Sequence, residues 1–183
     1  MSIARPPGAR IGDVLVLLTA TMPPAVSSTF DSGLEQLGHC QYPNLNAVGY
    51  AARIDDGTPS YVLGLDPTTS YATAMLFAFA NAGLPDSHAL KNCDTTTTPG
   101  APRVMLRRAP EYVLTAFASA AMGTRQGDAS AAGLDLIWDL PIVNGYVQAY
   151  GGLFREAGAT SELGPFTDAS ACWGALTVAV PPP

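Results

Sequence analysis

Residues 47–65 read AVGYAARIDDGTPSYVLGL, and the fold class turns on them. Val48, Tyr50, Ala52 and Ile54 alternate with smaller or polar residues, and Tyr61, Leu63 and Leu65 alternate again. Successive side chains of a strand point to opposite faces, so such period-2 runs read as strands. Between them Asp55-Asp56-Gly57-Thr58-Pro59 supplies turn chemistry. Two alternating runs around an Asp-Gly turn predict a β-hairpin over 47–65.

Outward from that hairpin the strand signal continues. Ile11 to Thr21 is a continuous Val/Leu run closed by Pro23 and Pro24, which suits a strand buried on both faces. Ser32 followed by Glu35 has the spacing of a capping box, predicting a turn or two of helix over Ser32–Leu37. Tyr71, Met75, Leu76 and Phe79 fall at helical spacing ahead of Gly83 and Pro85, predicting a helix over Thr69–Ala82. Asn92 to Pro102 reads as a loop and Arg103 to Arg108 as a short strand. Glu111 to Met122 is ambiguous: Pro110, Glu111 and Gly123 argue helix, whereas its apolar run equally suits a strand buried on both faces. Leu134, Leu136, Trp138 and Leu140 share one face of a predicted strand, with Asp135 and Asp139 on the other. A further strand ends at Gly151-Gly152, where glycines in a tyrosine-rich run signal close backbone approach. Residues 155–171 read as a polar loop, and Cys172 to Val180 as a last strand before three prolines.

The strand-like segments are therefore 11–21, 47–54, 60–65, 103–108, 112–118, 134–140, 142–150 and 172–180. Short strands with long loops predict a mainly β chain: an antiparallel β-sandwich, jelly-roll-like, with one inserted helix. The alternative, with 111–122 helical, is an α+β domain. One domain over 1–183 is expected, with residues 1–10 an extended arm and 181–183 an extended tail. No internal repeat and no linker is visible.

Composition narrows the function classes. The hydrophobic fraction is 48%, but charged residues make up only 13% of the 183, against about a quarter in ordinary globular chains. The net charge is −6, and Lys91 is the single lysine. Nucleic-acid affinity comes from neutralising phosphates with Lys and Arg, so strong nucleic-acid binding is not expected, nor is an anionic membrane surface. No apolar run approaches the about 20 residues that a spanning helix requires. Arg5 and Arg10 ahead of the first apolar run imitate a leader, but Pro6, Pro7 and Gly8 interrupt it, and no cleavage is expected. Cys40, Cys93 and Cys172 match neither a disulfide framework nor a zinc module and read as reduced thiols. A sparsely charged surface resists association weakly, which favours packing against copies or a partner.

A search for chemistry returns little. His39-Cys40 would point to opposite faces of a strand, and neither that pair nor His88 with Cys93 has a recognisable third group to orient a base. Together with Cys172 these four do not have the spacing of a standard zinc site. Asp135 and Asp139 would stand about 13 Å apart along a strand, too far for paired carboxylate catalysis. Asp55-Asp56-Gly57 resembles a fragment of a calcium loop whose other ligand positions are missing. There is no GxSxG, P-loop or strand-borne GxGxxG.

The sequence thus predicts a non-catalytic, self-assembling structural protein: a viral coat or capsid-decorating component in a virion, or a cytoplasmic protein if not viral. Its partners would be copies of itself or other shell proteins, with no cofactor and no metal. The alternative is a ligand- or receptor-binding sandwich module that stacks its ligand on Trp138, Tyr146 and Tyr150. An enzyme of unrecognised type comes third.

Overall fold

A computed structural model describes residues 1–22, 28–30, 35–41, 47–65, 71–94, 100–119, 133–142, 145–162 and 173–183. Every regular element among them is a strand. These are β1 (Ser2–Ala4), β2 (Val14–Met22), β3 (Ser28–Phe30), β4 (Glu35–Gln41), β5 (Ala47–Ile54), β6 (Ser60–Leu65), β7 (Tyr71–Phe79) and β8 (Ser87–Asp94). The chain continues through β9 (Met105–Leu106), β10 (Glu111–Ser119), β11 (Asp135–Ile142), β12 (Gly145–Phe154), β13 (Gly158–Ala159) and β14 (Trp173–Val180). All pairings are antiparallel.

Two larger sheets carry the core, one in the order β4-β5-β2-β7 and one in the order β11-β12-β10-β14-β8. Val14, Val16 and Leu18 of β2 and Val48 and Tyr50 of β5 share one cluster with Leu114 and Ala116 of β10 and Leu176 and Val178 of β14. The opposite side of β2, Leu15 and Leu17, packs with Ile3 of β1 and Tyr61 and Leu63 of β6. The opposite side of β10, Val113 and Phe117, packs with Ala101, Val104 and Leu106. Both β2 and β10 are therefore buried on both faces. That is why residues 14–20 and 112–118 read as continuous apolar runs rather than alternating ones. The ambiguous 111–122 segment is strand over Glu111–Ser119, with its remainder outside the described residues.

Several expectations are corrected. The residues 71–79 predicted as helix form β7, which pairs with β2 along its whole length; 69 and 70 lie outside the described residues. The same residues also alternate: Tyr71, Phe77 and Phe79 pack toward one core and Ala74, Leu76 and Ala78 toward another. Burial between two layers outweighs the helical spacing. Strand β4 replaces the helical turn read over 32–37, of which 32–34 lie outside the described residues. The presumed loop from Asn92 begins instead with the end of β8. Within the polar stretch 155–171, Gly158–Ala159 pairs with β9.

The hairpin is half right. Both strands form where expected, but they do not pair with each other. Strand β5 already has β2 on one side and β4 on the other, so no edge is left for β6. The five residues 55–59 carry the chain out of that sheet, and β6 pairs with β1 and β3 instead.

The chain also contains an internal duplication. In the first half β2 is flanked by β5 and β7, β5 carries β4, and β1 pairs with β6. In the second half β10 is flanked by β12 and β14, β12 carries β11, and β9 pairs with β13. The match extends to irregularities. The β4–β5 ladder shifts register between Gln36 and Gly38, and the β11–β12 ladder between Leu136 and Trp138. Strand β8 has no counterpart among the described residues of the first half. It pairs with the outer edge of β14, while β14's equivalent, β7, has no described strand on its outer edge.

Candidate functional site

The most developed polar cluster sits where β5 hands over to β6. The Asp55 side chain is buried and accepts hydrogen bonds on Oδ2 from Arg5 Nε at 2.8 Å and on Oδ1 from the Gly57 amide at 2.8 Å. Hydrogen bonding from Arg5 holds its carboxyl below the usual carboxylate range. Asp56 accepts from the Thr58 hydroxyl and amide at 2.7 and 3.0 Å, and chiefly for that reason its pKa is lowered to about 2. Arg53 pairs with Asp56 and lies 5.6 Å over the Tyr61 ring. Gly57 sits at φ +88°, a backbone conformation that glycine adopts without Cβ strain. The calcium-loop fragment is thus a corner clamp whose carboxylates are held by arginine and by the loop itself. It also ties down the first residues, because the Arg5 amide donates to the Pro59 carbonyl at 3.0 Å and the Leu63 amide to the Met1 carbonyl at 2.8 Å.

The predicted stacking residues do not converge. Tyr150 is 3% exposed, and its hydroxyl donates to Gln148 Oε1 at 3.2 Å, while Gln148 Nε2 donates to Asp139 Oδ1 at 3.3 Å. Trp138 is half-buried against the core on the opposite face of the sheet. The bulge at Ile137 causes the split: Leu136 stands opposite Tyr150, but one step later Trp138 stands opposite Ala149. Leu134 accordingly packs with Tyr150, away from Trp138 and Leu140, so the single apolar face expected over 134–140 does not form. The Tyr146 side chain lies outside the described residues, as do those of His39, Cys40, Cys93 and Cys172. His88 is exposed, its ring 5.4 Å from that of Tyr50. Burial pushes the Tyr50 phenol well above its ordinary pKa, and its hydroxyl has no hydrogen-bond partner.

Concave surface is shallow in chemistry. A groove of about 340 Å³ runs past Phe79, Pro110, Tyr112, Leu153 and Pro182. Phe79 and Tyr112 pack there with ring centroids 5.2 Å apart. Its wall includes the C-terminal prolines, held because the Gly83 amide donates to the Pro181 carbonyl at 2.9 Å. Among the described residues no three His, Cys, Asp or Glu side chains gather as a metal site would need.

The edges of the two large sheets differ sharply. Strand β11 carries exposed Asp135, Asp139 and Pro141 and a bulge. Strand β4 begins with Glu35 and is bulged, and β8 contains Lys91 and Asp94 and meets β14 with a register shift. Charge, proline and bulges are the devices that keep edge strands from pairing with other chains. Strand β7, YATAMLFAF, has none of them: no charge, no proline, and an unshifted ladder to β2. All nine of its residues are half-buried. The helical spacing of Tyr71, Met75 and Phe79 hides this edge in the sequence.

Comparison with known proteins finds no matching protein-family model, no matching curated protein and no matching solved structure.

Proposed function

We propose that this chain is a structural, self-assembling protein, a coat or decorating component of a virion-type shell, whose two large sheets form a β-sandwich. The observation that carries this reading is the undefended outer edge of β7, a nine-residue uncharged strand in a protein that protects its other large-sheet edges. Sparse charge, 13% of the chain's residues, lowers the electrostatic cost of bringing copies together. The polar clusters support a structural rather than catalytic role, since Asp55 and Asp56 are committed to a corner of the fold. Negative-stain microscopy of the purified protein tests the reading. Regular assemblies are expected, whereas a field of isolated small particles at every concentration contradicts it.

A further inference from the structure

We infer that the outer edge of β7 is filled by β7 of a second copy of this chain, antiparallel, about a two-fold axis at Met75. The inference rests on the self-assembly reading above and names the contact that begins it.

The duplicated half shows what this edge accepts. Strand β14 occupies in the second sheet the place that β7 has in the first, and its outer edge is filled by an antiparallel strand, β8. The first half supplies no described counterpart of β8. A strand edge without a partner exposes a row of amide and carbonyl groups, and β-strand addition satisfies them while side chains set the specificity.

The sequence of β7 selects a copy of itself. An isologous two-fold contact places residue i opposite j and j opposite i. Centred on Met75, antiparallel pairing sets Tyr71 opposite Phe79, Ala72 opposite Ala78, Thr73 opposite Phe77 and Ala74 opposite Leu76. Large residues at both ends meet each other, Ala72 meets Ala78, the small Thr73 and Ala74 meet the larger Phe77 and Leu76, and Met75 meets itself. Aromatic cross-strand pairs are stabilising, and like charges directly opposite are destabilising. Strand β7 has aromatics at its ends and no charge at all, so self-pairing brings no two like charges together despite a net charge of −6 per chain.

The two-fold makes residue 75 its own partner, which gives a specific test. Met75→Lys and Met75→Glu are each prepared, their folding is checked by thermal unfolding, and native mass spectrometry is run on each alone and on an equimolar mixture. Each variant alone is expected to lose dimer, with association weakened at least about tenfold by the facing like charges, and the mixture is expected to recover it as the Lys/Glu heterodimer. Hydrogen exchange on the unaltered protein provides a second readout. Alternate amides over 71–79, those turned away from β2, are expected to be protected in the assembled protein and to lose protection on dilution. Variants that remain dimeric, a mixture that does not recover, or outward amides that exchange fast in the assembled state overturn the pairing. If the unaltered protein still assembles in those cases, the self-assembly reading stands and only the β7 contact falls; an unaltered protein that is monomeric sinks both.

Discussion

Leu37 and Ile137 are the bulged residues of two strands that stand at the same place in the two halves of the chain. Each directly follows a paired residue, Gln36 opposite Ala51 in one half and Leu136 opposite Tyr150 in the other. A bulge adds one residue to one strand and reverses which face the following side chains take. Its recurrence at one position marks the two halves as versions of one strand arrangement, both of which contribute to one core cluster.

The second version tolerates no side chain at a point of close approach. A Cβ at Gly152 would lie 2.2 Å from the Gly133 carbonyl oxygen, and one at Gly151 2.6 Å from the Tyr112 hydroxyl. Gly152→Ala is expected to destabilise the fold by about 1–3 kcal/mol, because backbone rather than a movable side chain must give way. Chemical denaturation measures this, and an unchanged midpoint would show that the β12 path is not fixed there.

Acid should loosen the corner clamp. The carboxyls of Asp55 and Asp56 titrate below their ordinary value of about 3.9 in the folded chain. A depressed pKa contributes stability that is present above the unfolded value and lost as pH falls through the folded one. Thermal stability is therefore expected to drop between pH about 4 and about 2, and Asp55→Asn is expected to lower stability at neutral pH and flatten that drop. A variant with the same acid slope as the unaltered chain would show that the Arg5–Asp55 contact does not couple to folding.

Tyr50 offers a test with the opposite sign. Its hydroxyl is fully buried and unpaired, so Tyr50→Phe removes an uncompensated polar group. The expected result is a neutral or slightly higher melting temperature, against a loss of several degrees if that hydroxyl has a partner.

How much of this was legible depended on whether burial was one-sided. The run Val14 to Leu18 announces a strand because both faces are apolar, whereas 134–140 announces one by alternating Leu134, Leu136, Trp138 and Leu140 with Asp135 and Asp139. Residues 69–82 suit a helix in sequence because Tyr71, Met75 and Phe79 satisfy a period near four as well as two, and only the pairing of 71–79 with β2 decides between them. The hairpin failed on a fact no local pattern carries, that β4 from farther up the chain already occupies the free side of β5. The duplication was invisible because equivalent positions such as Leu17 and Thr115, or Tyr50 and Ala149, share a face and a register but not a chemistry. The proposed stacking face was lost to one bulge, since period-2 counting across Ile137 puts Trp138 on the wrong side.

The proposed function stands on association of the chain with itself, which its mass in solution reads out. Sedimentation velocity on the unaltered 18.9 kDa chain, over a concentration series at moderate salt, is expected to show species of at least twice that mass growing with concentration. A single 18.9 kDa species across the whole series would contradict it.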